Sequence, residues 1–459
     1  VIDTEHRLLR VTNQLELPQK LGRWTIQPNQ TVEVPLSFLE EFGSVKGISI
    51  DFSGVQEMLR THDEEGHLAF DFRCPLSMID GYGRHALAIW QGLQQIGAAP
   101  VLREVDWHDK LSLPPETLAE ARANASRLPC RIGVCMSVPY DWHHHEGGST
   151  YSISITQFET DRVPEYHVQA MNRVDHLIVT SHFQPDVWRR SGLRKGLPIS
   201  VLTPGVDTDY YAFRERRRDG AFKVLIVGAL TARKDPITAV KAFQEASNGD
   251  DSWRLTIKTR RADGVLRLLD ALGVPHPDKQ LPDSMRPQAY AWKGAAPVDP
   301  RVEVWISDDP PERIRDLYWS HDCFLWPSKG EGCGLPPLEA MSTGMEVVMS
   351  DNSGMADYAF DDHCWPVGAS HMEPADGPGG FSHTRVVDGK EVPGYVEVYG
   401  SVGNWWVPDF KQLVRQLRRA HEAWAKGRGK GARAAQYVRA HHTLAHQAHS
   451  VLKVVERYA

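Results

Sequence analysis

Pro327-Ser328-Lys329-Gly330-Glu331-Gly332-Cys333-Gly334-Leu335-Pro336-Pro337-Leu338-Glu339-Ala340-Met341-Ser342-Thr343-Gly344 is the stretch from which the rest of the chain can be read. It follows an apolar strand candidate, Cys323-Phe324-Leu325, and opens a short helix. Pro336 and Pro337 suit a helix start because the first turn leaves their missing amide hydrogens unpaired anyway, and Gly344 suits the stop. Gly330, Gly332 and Gly334 let backbone amides approach a ligand closely, and the free amides of a helix start favour a phosphate. The loop is therefore an anion cradle by construction. Glu331 and Glu339 bracket it with seven residues between them. Taken singly, Glu339 is also what a helix's first turns take to complement the dipole, and Glu331 is also an ordinary loop acid.

As a unit, the stretch resembles the signature of the retaining glycosyltransferases of family four, P-S-x-x-E-G-F-G-L-P-x-x-E-A-M-x-x-G, the E-x7-E motif. Cys333 stands where that signature has an aromatic residue. The resemblance implies that Glu331 contacts hydroxyls of the donor sugar and Glu339 the ribose of the nucleotide, with Ser328, Gly332, Cys333, Gly334 and Leu335 completing the donor loop. A second donor element is implied at Gly228-Ala229-Leu230-Thr231-Ala232-Arg233-Lys234-Asp235, which is similar to the family's G-R-L-x-x-x-K. Lys234 matches the diphosphate-binding lysine, the arginine position is Ala229, and Arg233 is the neighbouring cation able to compensate. Glu331, Lys234 and Arg233 are thus the catalytic candidates, and Gly228 joins the donor set.

The resemblance extends from near Gly66 to the C-terminus. Val201-Leu202-Thr203-Pro204-Gly205-Val206-Asp207 looks like the family's interdomain hinge, and Trp406-Val407-Pro408-Asp409 like its approach to the C-terminal helices. Thr156-Gln157-Phe158-Glu159-Thr160-Asp161-Arg162-Val163-Pro164 resembles an N-domain segment. Gly81, Tyr82 and Gly83, in Asp80-Gly81-Tyr82-Gly83-Arg84-His85-Ala86, correspond to a loop over the donor phosphate. The acceptor side would include His143, His144, His145 and Glu159. The implied reaction moves a sugar from a nucleotide-diphosphate donor, UDP- or GDP-linked, to an acceptor hydroxyl, with retention of configuration and without a metal. The acceptor class stays open among saccharide, lipid, protein and modified base.

The texture of the chain gives the fold class independently. Leu68 to Phe72 and Ile132 to Met136 read as strands alternating with helices at His85 to Ile96 and Glu165 to Arg173; the pattern restarts at Lys223 to Val227. Such alternation predicts parallel sheets covered by helices. Two Rossmann-like α/β domains facing each other across a cleft (GT-B) are expected, at 66–205 for the acceptor and 206–430 for the donor. A small β-rich module at 1–65 precedes them, and a C-terminal helix at 431–459 packs back on the N-terminal domain. The module either docks to a larger assembly or packs against its neighbour. Residues 371 to 395, rich in Pro and Gly, read as a long loop or insert, and Ala434 to Tyr458 as one closing helix.

Composition narrows the alternatives. At 459 residues the chain exceeds what one core organises. A net charge of −7 argues against a large phosphate-backbone footprint, and no apolar run of spanning length appears. Six cysteines without C-x-x-C spacing read as reduced thiols. With acids at Asp3 and Glu5, the first residues do not read as a signal peptide, so a cytoplasmic protein is expected.

Rival readings remain in view. Gly81-Tyr82-Gly83 with Ala86 and Glu104 satisfies a nicotinamide-nucleotide fingerprint, but leaves the 327–344 stretch unexplained. A non-catalytic nucleotide-sugar-binding relative is the reading that Ala229 favours. Asp207-Thr208-Asp209 has the metal-binding D-x-D form yet lies in the hinge. His441, His442, His446 and His449 read as helix-face residues.

Overall fold

The computed structural model describes residues 8–13, 19–21, 24–35, 48–51, 59–76, 81–105, 115–125, 127–139, 148–218, 220–259, 265–274, 292–307, 309–375, 384–387, 390–393 and 403–459. The first described unit is β-rich. Strands β1 (Leu8–Asn13), β4 (Thr31–Pro35) and β5 (Ile48–Asp51) form an antiparallel sheet, and β2 (Gln19–Leu21) pairs with β3 (Trp24–Ile26) beside it. Leu9, Val11, Ile26 and Val34 are fully buried, and the Asn13 amide ties the sheet to the Ile26 carbonyl.

The first α/β domain contains β6 (Ala69–Pro75), α1 (Gly81–Gln95), β7 (Ala99–Val105), α2 (Pro115–Ala125), β8 (Ile132–Met136), β9 (Tyr151–Thr156), α3 (Glu165–Met171), β10 (His176–Val179), α4 (Gln184–Arg190) and β11 (Ile199–Val201). Its sheet is parallel, in the order β11-β10-β9-β8-β6-β7. Every residue of β6 and β8 is buried, as central strands covered by helices on both faces require.

The second domain contains β12 (Phe222–Val227), α5 (Pro236–Ser247), β13 (Trp253–Thr259), α6 (Val265–Leu272), β14 (Trp292–Ala296), β15 (Asp299–Ile306), α7 (Pro311–Ser320), β16 (Cys323–Trp326), α8 (Leu335–Ser342), β17 (Glu346–Ser350) and β18 (Trp365–Val367). Its order is β14-β15-β13-β12-β16-β17-β18, with only the β14 edge antiparallel. From β15 to β18 this is the doubly wound 3-2-1-4-5-6 arrangement, whose strand order reverses between β12 and β16. Ligands of such sheets bind outside the carboxyl ends of the strands at that reversal, where loops diverge to opposite faces and leave a crevice. The loop after β12 carries Gly228 to Lys234, and the loop after β16 carries Ser328 to Gly334. The architecture therefore brings these two loops to one crevice.

The architecture is two Rossmann-like domains across a cleft, preceded by a β-rich region. Beyond β18, β19 (Ala369–Pro374) pairs antiparallel with β22 (Asn404–Pro408), and β20 (Thr384–Val387) with β21 (Lys390–Pro393). The sequence reading of 371–395 as loop thus missed two pairings: that of β19 is made with β22, thirty residues on, and leaves no local pattern, whereas that of β20 with β21 spans Asp388-Gly389, a hairpin signal the reading passed over.

The closing segment also differs from its reading. After α9 (Phe410–Ala425), α10 (Gly431–His441) and α11 (Leu444–Val455) replace one continuous helix. The break at His442-Thr443 lies where the chain crosses between domains. Val206 bridges Thr443 there, its amide donating to the His442 carbonyl. Beyond the crossing, Ala448, Val451, Val454 and Val455 enter the same core as Leu87, Phe70 and Ile155 of the first domain. Thr443 restarts the helix by a capping box with His446, the Thr443 hydroxyl accepting from the His446 amide. Thr443→Ala is expected to lower stability by about 1 kcal/mol, the usual worth of such a cap, read as a lower denaturant midpoint with an unchanged slope.

Candidate functional site

The loop after β16 is shaped by its own backbone. Gly334 caps α8 with φ +73, and a Cβ there would lie 2.6 Å from the Tyr358 hydroxyl oxygen. That hydroxyl reaches the Cys333 and Gly334 carbonyls at 3.0 and 2.6 Å, so a side chain would displace the contact that shapes the turn. The Glu331 amide donates to Ser353 Oγ at 2.8 Å, and the Glu331 carbonyl accepts from the Gly354 amide at 3.0 Å. Ser328 Oγ donates to the Gly330 carbonyl, tightening the entry.

The first domain grips this loop. The Gly332 carbonyl accepts from Thr180 Oγ1 at 3.1 Å, Ser181 Oγ at 2.8 Å and Gln184 Nε2 at 3.0 Å, all at the carboxyl end of β10. Gly332 itself lies under Gln157, where a Cβ would come within 2.7 Å of the Gln157 Cβ. Cys333 Sγ is 3.7 Å from Gln157 Oε1 and 3.9 Å from His85 Nδ1. Its thiol is pushed far up by burial, and then by Glu331 and Glu159, so it stays neutral.

Glu331 is buried, and Arg233 Nη1 sits 3.0 Å from its Oε2. Burial alone would raise this carboxyl, but Arg233 and Lys234 outweigh it and hold it below its usual value. Its Oε1 is buried and has no hydrogen-bond partner among the described residues. Arg233 also donates to the Gly330 carbonyl and lies 3.6 Å from Glu159 Oε1. Burial raises Glu159 in spite of Arg233, so two carboxyls facing one guanidinium are pushed in opposite directions. Lys234 Nζ is 5.0 Å from the centre of the Trp326 ring, beside Gly228.

Glu339 is 2% exposed and holds a separate set of partners. Tyr318 donates to its Oε2 at 2.9 Å, and Arg84 of the first domain ion-pairs with its Oε1. Arg84 also donates to the Tyr211 hydroxyl at 3.0 Å. The Glu339 carboxylate raises Arg84 above its ordinary range, against the opposing effect of burial.

The structure thus gathers Gly228, Arg233, Lys234, Ser328, Glu331, Gly332, Cys333, Gly334, Leu335, Glu339 and Glu159 around one interdomain crevice. Gly81 starts α1 on the first-domain side, while Tyr82 turns inward, its hydroxyl donating to the Gln157 carbonyl. His143, His144 and His145 lie outside the described residues. Asp207 works as a turn cap, accepting from the Asp209 and Tyr210 amides at 3.0 and 2.9 Å. The sequence reading missed Arg84, Tyr318, Gln157 and the Thr180-Ser181-Gln184 grip. A cation three residues into the glycine-bearing 81–83 segment was the available signal for Arg84.

Comparison with known proteins agrees with this geometry. A model of family 4 glycosyltransferases in conflict systems matches residues 180–377, which include the loops after β12 and β16. The D-inositol 3-phosphate glycosyltransferase of Corynebacterium efficiens is 28% identical over 202 residues, 43% of each chain. The chain spans less than half of the length of the curated relatives it matches. Among solved structures, sucrose-phosphate synthase of Thermosynechococcus elongatus superposes with TM-score 0.56 at 13% identity, covering 85% of this chain and 98% of that one. HepE of Anabaena, solved with UDP and glucose, gives 0.54 at 12% identity over 85% and 100%. The chain has the GT-B fold, and its residues 180–377 resemble the family 4 glycosyltransferases.

Proposed function

We propose that the protein transfers a sugar from a nucleotide-diphosphate donor, UDP- or GDP-linked, to an acceptor hydroxyl, with retention of configuration and without a metal. The observation that carries this reading is Glu331, whose one carboxylate oxygen is fixed by Arg233 while the other is buried without a partner in the crevice. A buried acceptor left unmade costs about 1–3 kcal/mol, which a sugar hydroxyl would recover on binding. The leaving diphosphate would sit at the start of α8, where the helix dipole favours an anion and, Pro336 and Pro337 having no amide hydrogen, the Gly334 and Leu335 amides would be the backbone donors, with Lys234 beside it. Charge developing on that leaving group is met by donors already in place, so the protein's main work is positioning and neutralisation. The acceptor would attack on the leaving-group face, a phosphate oxygen taking its proton, with Glu159 on the acceptor side. All six cysteines are buried, and a cytoplasmic location is part of the proposal.

A non-catalytic nucleotide-sugar-binding relative is the second reading, favoured by Ala229 in place of the expected arginine. Calorimetric binding of UDP and GDP, with NAD as control, tests the common ground. One diphosphate should bind, and Glu339→Gln should weaken it by about tenfold or more through loss of a charged ribose acceptor. Binding of neither, or equal binding by the variant, would overturn the site. Binding without turnover of any sugar conjugate would favour the second reading.

A further inference from the structure

We propose that Arg84 is the diphosphate-binding cation that this chain uses in place of the arginine missing at Ala229, and that it waits on Glu339 until the donor arrives. The inference rests on the reading of the crevice as a nucleotide-diphosphate-sugar site.

Three observations lead to it. The loop after β12 presents Ala229 where a cation is expected. Arg233, the neighbour able to compensate, is committed elsewhere: its guanidinium serves Glu331 and the Gly330 carbonyl and faces Glu159. Its removal to a phosphate would leave the buried Glu331 and the half-buried Glu159 without their cation. Arg84 is also paired, with Glu339 and the Tyr211 hydroxyl, but it serves a single carboxylate, and that one is the group the ribose itself would engage. Arg84 stands in the first turn of α1, opposite α8, and its side chain is 30% exposed at the cleft, against 3% for Glu339.

The distances permit an exchange. Glu339 is four residues beyond Leu335, so at 1.5 Å per residue it lies about 6 Å along α8 from the amides where the diphosphate would rest. Arg84 can cover that span by rotating its side chain. When ribose hydroxyls donate to Glu339, they replace the guanidinium, and the diphosphate arriving one turn away takes it. Tyr318 continues to donate to Oε2 throughout. The planar guanidinium fork suits a phosphate as well as a carboxylate, so one residue can serve either anion in turn.

The test separates unplugging from phosphate binding. Equilibrium affinities of UDP and uridine, and of GDP and guanosine, are measured for the wild type, Arg84→Ala, Arg84→Lys and the double variant Arg84→Ala/Ala229→Arg, each checked for a native circular dichroism spectrum. The diphosphate-to-nucleoside affinity ratio should fall by about tenfold or more in Arg84→Ala. Nucleoside binding should hold or tighten, because Glu339 is freed. Arg84→Lys should lie between, and Ala229→Arg should restore the ratio at least in part. An unchanged ratio in Arg84→Ala, or an equal loss of nucleoside and diphosphate, would overturn the role of Arg84 while leaving the donor site standing. Failure of the wild type to bind either diphosphate would instead overturn the site, and Arg84's role with it.

Discussion

Glu331→Gln should lower sugar transfer by about 10²–10³-fold while the folded protein remains intact. The substitution keeps shape and the contacts of the Glu331 amide and carbonyl to Ser353 and Gly354. It removes the charge that faces Arg233 and changes what the unpartnered Oε1 offers to a sugar hydroxyl. Arg233 keeps the Gly330 carbonyl and Glu159 as partners, so the uncompensated-cation penalty that usually follows loss of a buried acid is reduced. Lys234→Ala should produce a loss of similar size by a different route, because its charge is needed as the diphosphate departs. Steady-state rates with the nucleotide sugar selected by the binding panel decide the matter. A fall in kcat and kcat/KM together marks an interaction made in the transition state, whereas a rise in KM alone marks one made equally in the ground state. Wild-type rates in both variants would remove these residues from the mechanism.

The parts of this site that were legible in the sequence are those whose physics is local. Glycines and prolines between β16 and α8 announce a tight turn and a helix start within a few residues, and the β/α alternation places that turn at a strand's carboxyl end. The partners of the two glutamates are another matter. Arg84 reaches Glu339 across 255 positions of sequence, and Gln184 reaches the Gly332 carbonyl across 148. Neither pairing leaves a periodicity or spacing to read. The same holds for the break between α10 and α11, imposed by the crossing at Val206 and Thr443. There the capping partner is His446, where the familiar signal is Glu or Gln. Arg233 was legible as a cation in the right loop, but its direction toward Glu331 and Glu159 depends on tertiary contacts.

Mild acid should destabilise the protein steeply, and should open it first between the domains. His85, His176, His321 and His442 are pushed down to about 4, and His167 to about 3, by burial in each case. All are folded as neutral imidazoles, whereas the unfolded chain protonates them near pH 6.5. Their stabilising contribution is therefore complete above pH 6.5 and is lost as pH falls from 6.5 toward about 4. Within that window each contributes a slope of about 1.4 kcal/mol per pH unit at most. Glu120, Glu159, Asp322 and Asp351, raised by burial, act in the opposite sense, but are outnumbered by these histidines together with His363 and His421, which burial also lowers. Two of these histidines sit at the crossing itself. His442 Nδ1 donates to the Pro204 carbonyl at 2.9 Å. His85 Nε2 donates to Gln447 Oε1 at 2.8 Å, and that oxygen also accepts from the Gly205 amide, which fixes the tautomer. Protonation puts a charge where α1, the hinge and α11 meet, and there Asp357 favours a charged His442 only enough to offset part of the effect of burial. Urea midpoints at pH 7.5 and 5.0 should differ markedly, and His442→Gln should reduce the difference by removing one titrating group. Diphosphate affinity should fall over the same range, because Arg84 is carried by α1 and Glu339 by α8, and the crossing sets their separation. A midpoint independent of pH between 7.5 and 5.0 would mean that these imidazoles are solvated in the folded protein, and the tight crossing described here would not hold.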